Sequence, residues 1–350
     1  LNKKIKFYKQ QTKKDFDTRS LFEIYEEYKN KYENTAIFVG PQYYPLSDIH
    51  SLSNISNSKT ILCNENGYYS IYLSDRYGFN NPDVEWDANQ IEYLLLGDSF
   101  TQGYCVNRGK EIASILRNLF KKPILNLGFG SNGPLIEYAT LREYFKPNTK
   151  NIIWFYHEGN DISDLKGELM SPILTKYMTD LKFTQELILR QNELDEITKI
   201  KMEKIINLYE KRIIENNFIK KFINFIKVTN LRNRVFTKTH SKKNLEGNLY
   251  LVFKEILKNA NNFSKKNNAK LYFVYLPEYE RYKANYNNSS YLLIKKIVNE
   301  LNIPFIDIDK EVFKKEDFPL ELFPFGMNGH YNETGYMKVS NAIYKFILEE

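Results

Sequence analysis

A serine hydroxyl attacks a carbonyl only when a base draws off its proton. The chain offers four histidines for that work: His50, His157, His240 and His330. Gly97-Asp98-Ser99-Phe100-Thr101 follows the apolar run Ile91–Leu96. A serine at the turn out of a buried strand carries its hydroxyl to the open edge of a sheet. The backbone N–H groups that begin the next element can receive developing negative charge. Far along the chain, His330 lies in Asn328-Gly329-His330-Tyr331-Asn332-Glu333-Thr334-Gly335-Tyr336, a loop entering the helical segment Gly335–Leu348. If that loop reaches the same edge, His330 is placed to be the base that activates Ser99. His157, beside Glu158-Gly159-Asn160-Asp161, is either a pocket residue or a satisfied strand-end ring. His50 and His240 are expected in exposed polar stretches.

Such convergence needs a scaffold, and the apolar pattern supplies one. Five short runs (Ile91–Leu96, Pro123–Leu127, Asn151–Tyr156, Leu271–Leu276 and Ile303–Ile308) are separated by helix-period segments such as Glu111–Phe120, Leu251–Lys266 and Tyr291–Leu301. Continuous apolar runs bounded by helices indicate strands buried on both faces of a parallel sheet. Strand and helix in alternation give a doubly wound α/β architecture, in which ligands bind beyond the carboxyl ends of the strands. The polar clusters after the first three runs lie at that edge.

The rest of the chain departs from this alternation. Residues 1–90 are expected to form an N-terminal extension packed on the core. Residues 166–246 are expected as a helical insertion with helices at Thr175–Leu189, Leu194–Asn216 and Phe218–Phe236. Residues 216–245 hold eight Lys or Arg and no acid, interleaved with apolar residues. A basic amphipathic stretch of this kind suits an anionic membrane surface or an acidic polysaccharide, although an insertion packing its apolar face on the core is the more ordinary reading.

Composition bounds the alternatives. The 350 residues are 42% hydrophobic and 27% charged, ample for a core. The net charge of +7 singles out no partner. No apolar run approaches the roughly 18 residues of a membrane span. Two cysteines exclude a disulfide-dense scaffold or an iron–sulfur cluster. There is no Walker loop, zinc spacing or dinucleotide fingerprint, so no cofactor, metal or nucleic-acid partner is expected. Leu1 in place of methionine, with six lysines and no acid in residues 1–14, is expected either after a removed signal peptide or anchor or as a solvated tail.

Gly97-Asp98-Ser99 with Phe100 and Thr101, the Asn126–Gly133 turn, Gly159-Asn160-Asp161, and His330 with Asn332 and Gly335 occur in the order of four signature blocks. In this the chain resembles the SGNH (GDSL-type) hydrolase superfamily over about 91–165 and 247–350. It looks like a bacterial subgroup with a helical insertion after the third block. The resemblance implies a flavodoxin-like three-layer α/β/α sandwich around a parallel five-stranded sheet. It also implies a serine-dependent ester hydrolase in which Ser99 forms an acyl-enzyme and His330 is the base. The oxyanion hole would combine the Ser99 N–H, the Asn160 side-chain amide and a glycine N–H from the second block. That glycine position is Ser131 here, with Gly130 one residue before. The substrate implied is a small-molecule or glycan ester, an acylated glycan or lipid. An O-acetyltransferase of cell-surface polysaccharide would use the same site, and a non-catalytic glycan- or membrane-binding protein with a degenerate site is the third reading.

The family's acid, three residues before the histidine, is Met327 here, and nothing acidic lies between Glu321 and His330. A backbone carbonyl could hold the imidazole, Glu333 or Glu158 could substitute, or the site is weakened. A mis-set tautomer can cost about 10⁴ in rate. Cys63 and Cys105, upstream and downstream of the nucleophile, are either two buried thiols or a disulfide. A disulfide would arise if the upstream segment crosses the active-site edge, and it would indicate an extracytoplasmic compartment.

Overall fold

Five parallel strands form the central sheet: β4 (Tyr93–Leu96), β5 (Ile124–Asn126), β6 (Asn151–His157), β7 (Lys270–Leu276) and β8 (Phe305–Asp307). Their order is β5-β4-β6-β7-β8, the flavodoxin-like order, with the topological switch beside β4. The computed structural model describes residues 1–41, 49–219 and 242–350, and the side chains of 1–41, 49–211 and 248–350. The basic stretch 216–245, the expected helix Phe218–Phe236 and His240 lie outside the described side chains.

Side chains alternate along the strands and build a separate core on each face. On one face, Leu94, Leu96, Ile152, Trp154 and Phe273 pack against α5 (Pro134–Tyr144), α9 (Lys242–Lys266) and α10 (Ser289–Glu300). On the other, Leu95, Ile153, Phe155, Val274 and Ile306 meet α4 (Ile112–Phe120) and α12 (Glu333–Glu349). The protein is therefore a three-layer α/β/α sandwich. β4, β5 and β8 are shorter than their apolar runs, while β6 and β7 each extend one residue beyond theirs. Pro123 and Pro304 have no N–H to give and join through their carbonyls alone, which accept from the Glu92 and Phe273 N–H groups at 3.0 and 2.9 Å.

The first 90 residues contain α1 (Asn2–Thr12), α2 (Leu21–Lys29) and a second, small sheet. Its strands β1 (Thr35–Ile37), β2 (Lys59–Ile61) and β3 (Ile71–Leu73) pair β1 with β2 in parallel and β2 with β3 antiparallel. Ile37 and Ile61 form a third core with Ile24 of α2 and with Met202 and Ile206 of α8 (Gln191–Ile219). The expected helix Thr175–Leu189 is replaced by α7 (Pro172–Thr179), an irregular stretch and a 3₁₀ turn at Leu187–Arg190. Ser171 caps α7 by accepting from the Leu174 N–H at 3.4 Å, and Asp180 leaves the helix in an extended conformation.

The turn out of β4 positions the site. Gly97 has φ +152°, and a Cβ there would lie 2.2 Å from Thr101 Oγ1. Asp98 caps the short α3 (Ser99–Gln102) through Oδ1, which accepts from the Phe100 N–H at 2.9 Å. Gly128, after β5, lets α3 settle: a Cβ there would fall 2.5 Å from Thr101 Cβ and 2.7 Å from Gln102 N. Because Gln102 N is backbone, it cannot rotate away. Gly128→Ala is expected to cost about 1–3 kcal/mol by overpacking, read from urea denaturation. Unchanged stability would show that α3 is not held against this turn.

Candidate active site

Ser99, at the carboxyl end of β4, and His330, in the loop before α12, meet over the sheet edge: Ser99 Oγ lies 2.8 Å from His330 Nε2. Tyr104 and Phe100 flank the imidazole, with centroids 4.8 and 4.7 Å away. On the far side of the ring, His330 Nδ1 is 3.1 Å from Glu65 Oε1. The other carboxylate oxygen, Oε2, accepts from the His330 backbone N–H at 2.7 Å. Glu65 thus grips both the ring and the main chain of His330. Gly329 permits the approach, since a Cβ there would sit 2.7 Å from Glu65 Oε2. Burial works to raise the Glu65 carboxyl, but its bonds to His330 and the charges of His330 and Lys4 outweigh this and hold it below the usual range. The group facing Nδ1 is therefore a carboxylate at neutral pH.

This replaces the expected orienting groups. Glu333 stands in the first turn of α12, where it accepts from the Tyr68 hydroxyl at 2.8 Å and pairs with Lys110 at 3.3 Å. Glu158 is committed to a buried cluster, accepting from Arg281 Nε at 2.7 Å and from the Tyr275 hydroxyl. No backbone carbonyl is needed at Nδ1. Nothing in the sequence marks Glu65, which stands in an irregular turn, Asn64-Glu65-Asn66-Gly67, with no motif or periodicity. The turn is held by its own bonds: Gly67 N–H donates to Asn64 Oδ1 at 2.9 Å, Asn64 Nδ2 to Asp17 O at 2.7 Å and Asn66 Nδ2 to Cys105 O at 2.9 Å.

Cys63 and Cys105 form a disulfide with Cα atoms 5.1 Å apart. It ties the residue two before Glu65 to the residue six after Ser99. The pairing was the available clue: a segment cross-linked beside the nucleophile brings its own acid within reach of the site.

The expected oxyanion residues divide. Gly130 N–H donates to Gln102 Oε1 at 2.8 Å and is engaged. The N–H groups of Ser99 and Ser131 have no acceptor among the described residues. Ser131 adopts φ +64°, the left-handed conformation that glycine takes at lower cost. Asn160 follows β6, and its Nδ2 donates to Asp164 Oδ2 at 2.8 Å and, over a longer 3.3 Å, to Asp98 Oδ2. Ser99 Oγ is 3.4 Å from that same Asp98 oxygen, so the Asn160 amide faces the space beside the nucleophile. Asn160 Oδ1 pairs with His157 Nδ1. His50 departs from expectation: it is buried, and burial, with Lys201 nearby, pushes its imidazole down to about 4.

Among the described residues, one group of His, Cys and acid atoms is tight enough to hold a metal: Glu65, Cys105 and His330, within 4.8 Å of one another. Its sulfur is already in the disulfide, and the other two bond each other. The donor set is that of an oriented imidazole. The chemistry open to it is proton transfer between a hydroxyl and a histidine, next to N–H groups that can receive an oxyanion.

No protein-family model matches the chain, and no curated protein matches its sequence. Solved structures do resemble it. The chain is similar to GDSL-type lipolytic proteins and esterases. A member of the lipolytic protein G-D-S-L family from Veillonella parvula is 12% identical with a TM-score of 0.41, covering 74% of this chain and 100% of that one. The lipase/acylhydrolase from Enterococcus faecalis is 12% identical with a TM-score of 0.40, covering 74% and 95%. The acetyl xylan esterase AlAXEase is 12% identical with a TM-score of 0.39, covering 73% and 100%. At these values the likeness carries no residue role with it.

Two outcomes follow from the geometry. Glu65→Gln keeps the shape and removes the charge, so phosphonylation of Ser99 by a fluorophosphonate is expected to slow by about 10²–10⁴; a rate within twofold of the native one would remove Glu65 from the site. Replacing Cys63 and Cys105 together by Ser is expected to lower stability by about 4 kcal/mol and to slow the same reaction. Full reactivity in the folded double variant would show that the turn holds Glu65 without the cross-link.

Proposed function

We propose that the protein is a serine esterase of the SGNH type, acting outside the cytoplasm on an acylated glycan or lipid. The observation that carries the reading is the continuous line from Ser99 Oγ through His330 to the Glu65 carboxylate, with links of 2.8 and 3.1 Å. Ser99 Oγ attacks the ester carbonyl while His330 Nε2 takes its proton. Glu65 holds Nδ1–H and offsets the charge of the imidazolium that forms. The N–H groups of Ser99 and Ser131 and the Asn160 amide receive the oxyanion, each such donor contributing about 2.7–4 kcal/mol. His330 returns the proton to the leaving alcohol, which departs and leaves an acyl-serine. Water, deprotonated by His330, then releases the acid and restores Ser99.

An acyltransferase shares every step up to the acyl-serine and differs only in the acceptor, a sugar hydroxyl in place of water. The non-catalytic reading was motivated by the missing acid before His330, and a carboxylate at its Nδ1 takes that motive away. The disulfide supports the extracytoplasmic assignment, because such bonds persist in oxidising compartments. Among the described residues, no helix is long and apolar enough to cross a membrane. In this reading residues 91–165 and 247–350 form the catalytic unit, residues 1–90 complete it with Glu65, and residues 166–246 are an insertion. The stretch 216–245 is proposed to meet an anionic membrane surface or an acidic polysaccharide.

A fluorophosphonate probe is expected to label the protein at Ser99, with labelling lost in Ser99→Ala and greatly weakened in His330→Ala. The same preparation is expected to release acetate from p-nitrophenyl acetate. A folded sample that neither labels nor hydrolyses would overturn the proposal.

A further inference from the structure

The Asn160 amide carries two opposed demands. Both carboxylates near it, Asp164 at 2.8 Å and Asp98 at 3.3 Å, draw on the same nitrogen. The shorter bond goes to Asp164, on α6 (Asp161–Glu168), and the longer one to the Asp98 oxygen that lies 3.4 Å from Ser99 Oγ. A forming oxyanion beside Ser99 can take over only the proton on the long bond. What keeps the amide from yielding wholly to Asp164 must act on its other end, Oδ1. That atom has one partner among the described residues, Nδ1 of His157.

The network also settles the protonation of that partner. With Nδ2 facing two carboxylates, a flipped amide would set an oxygen against them, so Oδ1 must face His157. Oδ1 accepts only, so His157 Nδ1 carries the hydrogen. His157 is itself immobilised. Its backbone N–H donates to Asp161 Oδ2 at 2.9 Å. Its ring stacks on Phe100 with centroids 4.1 Å apart and planes 19° from parallel. Burial, the largest influence, holds the ring below the usual histidine range despite Asp98 nearby, which suits a fixed neutral donor. Phe100, the residue after the nucleophile, also contacts the His330 ring, so one phenyl ring braces both imidazoles.

We propose that His157 is a positioning residue for acyl transfer: its Nδ1–H restrains Asn160 Oδ1, so that Nδ2 stays turned towards the oxyanion beside Ser99. The inference rests on the esterase reading and extends it to a residue outside the line from Ser99 to Glu65.

Two substitutions separate the donor from the ring. His157→Phe preserves the stack on Phe100 and removes the hydrogen bond; His157→Gln gives up the stack and keeps an amide donor. With p-nitrophenyl acetate, His157→Phe is expected to lower kcat about ten- to a hundredfold, below the loss of a whole donor, with little change in KM. His157→Gln is expected to recover most of that loss. In an Asn160→Ala background, His157→Phe is expected to cost nothing further, as for residues acting through one another. Native kcat in His157→Phe, or losses that multiply in the double variant, would overturn the proposal while leaving the esterase reading intact. If Asn160→Ala alone leaves kcat unchanged, Asn160 is no oxyanion donor and the proposal falls with it. Absence of any hydrolysis by the native protein would instead mark failure of the esterase reading.

Discussion

An imidazole activates a hydroxyl best when its far nitrogen is held, and here the group at that nitrogen is a carboxylate brought in from outside the central sheet. Glu65 bonds both the ring and the backbone of His330. The meeting of Nε2 with Ser99 depends on that grip, because the ring carries Nε2 to Ser99 and the loop carries the ring. Ser99 is set by β4 and the Gly97 turn; His330 is set by Glu65. The disulfide links the two halves covalently, joining the segment that bears the acid to the one that bears the nucleophile.

The architecture explains why this works. Parallel strands all present their carboxyl ends on one edge, so residues distant in the chain converge there without a dedicated contact. Ser99 and Asn160 arrive by that route, from β4 and β6 at the switch in strand order. Glu65 does not. It comes from the small sheet, whose β2 and β3 flank the turn and whose core is shared with α2 and α8. In the proposed mechanism the N-terminal ninety residues thus supply the acid as well as cover for the edge. Phe38, just after β1, packs against Tyr104 and Phe129 at 5.4 and 5.1 Å and extends that cover over the second block.

The sequence made parts of this legible for physical reasons. Ser99, Asn160 and the parallel sheet show because buried strands leave unbroken apolar runs, and polar residues at their ends stand out. His330 shows because histidines are few. Glu65 is hidden because an irregular turn has no period, and its tie to His330 spans most of the chain. The three-residue strands of the small sheet are too short to display alternation. The second block was half legible: Ser131 occupies a left-handed position that glycine favours, while the engagement of Gly130 by Gln102 depends on packing that no pattern encodes. His50 sits in polar sequence yet is buried, because residues far along the chain fold over it, with Gln185 Oε1 accepting its backbone N–H.

The bond between Glu65 and the His330 ring is read most directly from the proton NMR signal of His330 Nδ1–H in the intact protein. A carboxylate acceptor at 3.1 Å shields that proton from exchange and moves its resonance far downfield. Such a resonance is expected in the native protein, and it is expected to disappear in Glu65→Gln. The same resonance persisting unchanged without the Glu65 charge would contradict that bond.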